Sequence, residues 1–141
     1  QKLHEDFKHF LLNWTLSSRT GVTGERRGED ALTFSVSAKL SASGESWEEA
    51  IRPEIVKSYQ NVGRVYLKFV VETDEHFAEV DRAVQEFRAG GFTGVVYVMP
   101  QGGVVTPYEQ NRRRVADWAV SRGYYYSPRL HVDLWGNGWG K

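Results

Sequence analysis

Short apolar runs alternate with helical stripes along most of this chain. The first stripe is Leu3, Phe7, Phe10, Leu11 and Trp14, whose spacing puts them on one face of an amphipathic helix. Residues 15–30 lose all periodicity and carry Gly21, Gly24 and Gly28, the pattern of a polar loop or linker and the best candidate boundary. From residue 31 the pattern changes. Residues 31–37 alternate as a strand does, and Ser41-Ala42-Ser43-Gly44 follows as a small-residue loop. Ser46 with Glu49 is a capping-box signature, and Pro53 suits the first turn of a helix running through Ile55, Val56 and Tyr59. Residues 65–71 are nearly continuously apolar and β-branched, which predicts a strand covered on both faces. Thr73 can cap the next helix, striped by Phe77, Val80, Val84 and Phe87 and ended by Gly90-Gly91. Residues 94–99 predict a second buried strand. Thr106, Pro107 and Glu109 open a last helix, which Gly123 closes. Leu130, Val132 and Leu134 alternate with His131, Asp133 and Trp135 and predict a final strand.

The resulting order is a helix followed by β-α-β-α-β-α-β. Alternating strands and helices imply crossover units, hence an α/β fold with a parallel sheet. Residues 1–30 form an amino-terminal helix and linker, and residues 31–141 the α/β portion. In such sheets ligands are met by the loops at the carboxyl ends of the strands. Those loops are residues 37–44, 72–74 and 100–106.

Composition narrows the chemistry. Across 141 residues, 18 basic side chains balance 18 acidic ones and cysteine is absent. Zero net charge argues against a general nucleic-acid coat. Without cysteine the chain has no disulfide, thiolate zinc site, cysteine nucleophile or self-ligated iron–sulfur cluster. No apolar stretch approaches the about 20 residues that cross a bilayer, and residues 1–6 lack a signal peptide's layout, so a cytoplasmic location is expected. The chain starts at Gln1, which fits a processed chain or part of a longer one.

None of the four histidines, His4, His9, His76 and His131, forms a metal-ligand pair. Each suits a structural or solvated place, and His131, in the dense run Arg129 to Gly136, is the least bland. Ser41 to Gly44 suits either a backbone anion cradle or a permissive turn. Lys39, just past a strand beside Ser37, can pair with a carboxylate or phosphate or lie solvated. Lys68 interrupts an apolar strand, so it faces a polar interior or snorkels at an edge. Arg112-Arg113-Arg114 points three ways from a helix, and Tyr124-Tyr125-Tyr126 suits a strand start. Together they make a weak case for nucleic acid.

Four segments occur in a familiar order. Residues 32–40, Leu-Thr-Phe-Ser-Val-Ser-Ala-Lys-Leu, resemble the strand and Ser-Pro-Lys loop of the 7-carboxy-7-deazaguanine synthase family, which are radical S-adenosylmethionine enzymes. Leu67-Lys68-Phe69-Val70-Val71 is similar to the family's Lys-Phe-Val-Val strand. Val98-Met99-Pro100-Gln101-Gly102 is similar to its late strand end, and Arg129-Leu130-His131-Val132-Asp133-Leu134-Trp135-Gly136 to its carboxyl-terminal ending. The resemblance covers about residues 31–140.

It implies the carboxyl-terminal portion of a radical-enzyme barrel. The family converts 6-carboxy-tetrahydropterin to 7-carboxy-7-deazaguanine, on the route to queuosine-type bases, using S-adenosylmethionine, a [4Fe–4S] cluster and magnesium. By this resemblance Ser37, Lys39, Met99, Pro100, Gln101 and Gly102 hold S-adenosylmethionine, and His131 and Trp135 lie toward the substrate. No catalytic residue or metal ligand carries over. The family's cluster cysteines are absent, and Ala38 stands where the family has proline. The implied partners are a cluster-bearing amino-terminal half, on the same or a separate polypeptide, a pterin-like substrate and, compatibly, a second copy. The chain alone is then an inactive part of a lyase. The alternative is a non-catalytic α/β domain that binds a nucleoside-like ligand or a partner protein.

Overall fold

The computed structural model describes residues 32–101 and 108–136. The amino-terminal stripe, the linker, Gly102 and the Thr106–Pro107 helix start lie outside the described residues. The described strands are β1 (Thr33–Val36), β2 (Arg64–Val71), β3 (Val96–Pro100) and β4 (Tyr125–Tyr126). Helices α1 (Trp47–Ala50) and α2 (Pro53–Gln60) join β1 to β2, α3 (Asp74–Ala89) joins β2 to β3, and α4 (Tyr108–Arg122) joins β3 to β4. A short α5 (Leu130–Trp135) follows. The four strands form one sheet in the order β1-β2-β3-β4, every neighbouring pair parallel. The α/β class inferred from the alternating pattern holds.

Local chemistry sets the boundaries. Ser46 Oγ accepts from the Glu49 amide at 3.3 Å and donates to Glu49 Oε2 at 2.9 Å, so the capping signature opens α1. Pro53 opens α2 separately, because the residue before a proline is pushed out of helical geometry. Thr73 Oγ1 accepts from the His76 amide at 3.3 Å and caps α3. Gly123 closes α4 at φ +70°, a conformation that costs glycine nothing. Gly94 serves a different need: a Cβ there would lie 2.0 Å from the Val65 carbonyl oxygen, so only glycine lets the chain pass β2 this closely.

A sequential parallel order has one outcome for packing. Right-handed crossovers all step the same way, so the connecting helices gather on one face. Burial follows that rule. Val65, Leu67, Phe69 and Val71 of β2 and Val96, Val98 and Pro100 of β3 are buried, and with them Phe77, Val80, Ala83, Val84 and Phe87 of α3. Aromatic pairs tie the layers: Phe34 stacks on Tyr59 at 4.7 Å between centroids, and Phe77 on Trp118 at 4.3 Å. The side chains between them, Tyr66, Lys68, Val70, Tyr97 and Met99, lie half-buried or exposed on the opposite face.

Two expectations are corrected. Residues 65–71 were expected to be covered on both faces, but among the described residues only one face is covered. Helices α1 to α4 share one core with that face, and Tyr66 and Lys68 supply the amphipathic edge that the apolar run masks. Lys68 accordingly turns to the open face, in register with Tyr97.

The expected strand through Leu130, Val132 and Leu134 is helix α5. The amides of Val132 and Asp133 donate to the Arg129 carbonyl at 2.8 and 3.0 Å, and the Gly136 amide to Val132 at 2.9 Å. Leu130 and Leu134 are also one helical turn apart, so a run this short fits either period. The place beside β3 is taken by Tyr125–Tyr126, with the Ser127 amide donating to the Val98 carbonyl at 2.8 Å.

Phe87 is 1% exposed at the centre of the α3–sheet contact. Phe87→Ala should lower stability by about 3–5 kcal/mol, measured from urea unfolding midpoints. A loss below ~1 kcal/mol would refute this account of the core.

Candidate functional site

The carboxyl ends of β1, β2 and β3 enclose a cavity of about 190 Å³, lined by Ser37, Ala38, Lys39, Leu40, Ala42, Ser43, Val70, His76 and Gln101. Its first wall continues the alternation of β1. Ala38 and Leu40 are each 7% exposed and anchor in the core, so Ser37 and Lys39 are turned outward at the cavity. The turn of residues 41–44 adds the rim. Three of its four amides are engaged: Ser43 to Leu40 O at 2.9 Å, Gly44 to Ser41 O at 3.0 Å, and Ser41 to Glu79 Oε2 at 3.1 Å. These bonds favour the permissive turn over the anion cradle and fasten the rim to α3.

The second wall comes from the β2–α3 junction. Thr73 caps the helix, and three residues later His76 reaches back. Its Nδ1 accepts from the Glu72 amide at 3.1 Å. An Nδ1 that accepts carries no proton, so the neutral ring holds its proton on Nε2. Glu72 itself is buried, at 4% exposure, and its carbonyl accepts from Arg114, which also pairs with Asp74 at 3.2 Å.

The third wall is the end of β3. The Gln101 amide donates to the Val71 carbonyl at 2.8 Å, extending the β2–β3 ladder by one bond. Asn111 of α4 then clamps the junction. Its Nδ2 donates to the Val71 and Gln101 carbonyls, both at 3.1 Å, from a position with no exposure. Its Oδ1 is buried without a hydrogen-bond partner.

Of the residues that the resemblance singles out, the cavity gathers Ser37, Lys39 and Gln101. Pro100 is buried beside Val71 in register, and Met99 lies half-buried on the open face beside Val70. Gly102 lies outside the described residues. His131 and Trp135 sit on exposed α5, where His131 Nε2 is 3.4 Å from Arg129 Nη2 and Trp135 is 59% exposed. Neither lines this cavity. Nearby, the Tyr108 hydroxyl accepts from the Arg129 amide at 3.0 Å. The Tyr126 hydroxyl is pushed up to about 12, first by burial and then by Tyr108.

Sequence reasoning missed His76 and Asn111. Asn111 had a signal: it occupies the apolar stripe of Val115 and Ala119 at four-residue steps, where a polar side chain needs backbone partners. His76 had a weaker one, its place one turn into the helix that follows a carboxyl-end loop.

Fold and cavity define an α/β unit with a small, partly polar cavity at the carboxyl edge of a parallel sheet. No family model matches the chain, and no solved structure matches it. Curated proteins do. A 7-carboxy-7-deazaguanine synthase of Pyrobaculum aerophilum is 32% identical over 108 residues, 77% of this chain and 45% of that protein. Those of Halobacterium salinarum and Rhodopirellula baltica are 37% identical over 73 residues and 32% over 78, covering 28% and 30% of their own lengths. The chain is therefore similar to 7-carboxy-7-deazaguanine synthases, and it spans less than half the length of these matched relatives.

Asn111→Ala removes two hydrogen bonds: the Val71 carbonyl keeps the Gln101 amide, while the Gln101 carbonyl loses its Asn111 donor. It should cost about 1–3 kcal/mol, at roughly 0.5–1.5 for each hydrogen bond lost, with Val71 and Gln101 losing amide-exchange protection. Unaltered protection at Gln101 would show that the clamp does not hold this edge.

Proposed function

We propose that this chain is the carboxyl-terminal portion of a 7-carboxy-7-deazaguanine synthase-like enzyme, a radical S-adenosylmethionine lyase. The whole protein converts 6-carboxy-tetrahydropterin to 7-carboxy-7-deazaguanine for queuosine-type bases, and this portion holds S-adenosylmethionine. The observation that carries the reading is the shared cavity of Ser37, Lys39 and Gln101. An ammonium and a hydroxyl at its mouth suit the amino-acid carboxylate of that cofactor. At about 190 Å³ the cavity takes that end of the molecule, since sites for whole drug-sized ligands run to roughly 300 Å³ or more. Met99, Pro100, Gln101 and Gly102 flank the adenine in this reading, with His131 and Trp135 toward the substrate.

The iron–sulfur cluster does not fit the residues present. The chain has no cysteine, and among the described residues no group of three His, Cys, Asp or Glu side chains could hold a metal ion. The cluster and magnesium then belong to an amino-terminal half, on the same or another polypeptide, that completes a barrel of which this chain supplies a part. No helix among the described residues is long and apolar enough to cross a membrane, which is compatible with a cytoplasmic enzyme.

A second reading, a non-catalytic domain for a nucleoside-like ligand, draws on the open face. There Tyr66, Tyr97 and Tyr125 form a row with 5.2 Å between successive ring centroids and interplanar angles of 72° and 38°, so a base would stack on a single ring of the row.

Two measurements test these readings. After anaerobic reconstitution the 141-residue chain should show no iron–sulfur absorbance and no cleavage of S-adenosylmethionine; turnover by this chain alone would overturn the assignment. In calorimetry with S-adenosylmethionine, Lys39→Ala should weaken binding about tenfold, as loss of a charge-assisted hydrogen bond does. Unchanged affinity removes Lys39 from the site, and loss of binding in Tyr97→Ala instead favours the second reading.

A further inference from the structure

We infer that His76 is a ligand-binding residue of the carboxyl-edge cavity: its Nε2–H and the Lys39 ammonium together receive one carboxylate. The inference rests on the S-adenosylmethionine reading for the identity of the ligand and on the geometry for the role of the histidine.

His76 and Lys39 belong to separate elements and line one cavity. Lys39 is exposed on the strand extension, and His76 is half-buried in the first turn of α3. Two bonds hold the histidine in place. Its backbone amide donates to Thr73 Oγ1 at 3.3 Å, and its ring accepts the Glu72 amide at 3.1 Å. The second bond fixes the tautomer, because an accepting Nδ1 leaves the proton on Nε2. The ring therefore stands in the cavity wall as an oriented donor. Preorganisation of this kind spares a binding group the cost of ordering when the ligand arrives.

The surroundings favour an anionic acceptor. The other polar side chains of the lining are Ser37, Ser43 and Gln101, and Lys39 is its one charged group. The carboxylate of Glu79, fastened to the rim, is engaged by the Ser41 amide. Ser43 Oγ accepts from the Glu45 amide at 3.3 Å. A carboxylate is the group on S-adenosylmethionine that takes two such donors, one neutral and one charged.

The test separates this role from a structural one. Asn has an acceptor near the position of Nδ1 and nothing at Nε2, so His76→Asn keeps the bond to Glu72 and removes the ligand donor. On the 141-residue chain His76→Asn should leave the thermal midpoint unchanged and weaken S-adenosylmethionine about tenfold, in line with a hydrogen bond to a charged group. Wild-type affinity in His76→Asn overturns the inference and leaves the S-adenosylmethionine reading standing. If the wild-type chain itself binds no S-adenosylmethionine, that reading fails, and sodium acetate is titrated while the His76 ring resonances are followed. A saturable shift that is lost in Lys39→Ala sustains the two-donor site; no shift overturns it. The same acetate titration decides the case if His76→Asn lowers the thermal midpoint.

Discussion

The pairing of β2 with β3 is the interaction on which the rest depends. Five residue pairs in parallel register, from Leu67–Val96 to Val71–Pro100, set the heights of the two strand ends. The Gln101 amide adds one more bond to the Val71 carbonyl, and Asn111 closes the remaining lone pairs from behind. A slip of one residue would turn Leu67 and Phe69 to the open face and Tyr66 and Lys68 into the core. The same slip would carry Gln101 and the start of α3 away from Lys39. Core and cavity are thus set by one register.

The sequential strand order explains why the molecule has two unlike faces. Helices gather on one side because each crossover has the same hand, and the apolar halves of β2 and β3 serve that side. The opposite face keeps tyrosines, a lysine and a methionine. An arc of parallel strands with helices outside and mixed polar side chains inside is the geometry of part of an α/β barrel. It suits the similarity to 7-carboxy-7-deazaguanine synthases over less than half of their length.

Polar groups at the carboxyl edge are secured before any ligand is considered. Arg114 holds the Glu72 carbonyl and Asp74, Glu79 holds the turn at Ser41, and Glu72 holds the His76 ring through its amide. Each bond lets a loop stay in one conformation where its backbone would otherwise be half-satisfied. The edge is therefore a rigid rim, with Lys39 exposed upon it.

The sequence by itself determined the alternation of strands and helices, and with it the parallel α/β fold. It also determined the caps at Ser46, Pro53 and Thr73, and the stop at Gly123. These are local: each rests on residues within one or two turns, so the pattern carries the whole cause. It determined as well the motifs that resemble 7-carboxy-7-deazaguanine synthases and the absence of cysteine. Only the tertiary structure decided which face of β2 is covered, because that depends on the direction of three successive crossovers. It decided that residues 130–135 coil into a helix, since the strand place beside β3 was already filled by Tyr125 and Tyr126. It also brought His76 to Lys39 and Asn111 to Gln101. These pairs are 37 and 10 residues apart in sequence and no local period relates them; their meeting is a result of sheet register and helix packing alone.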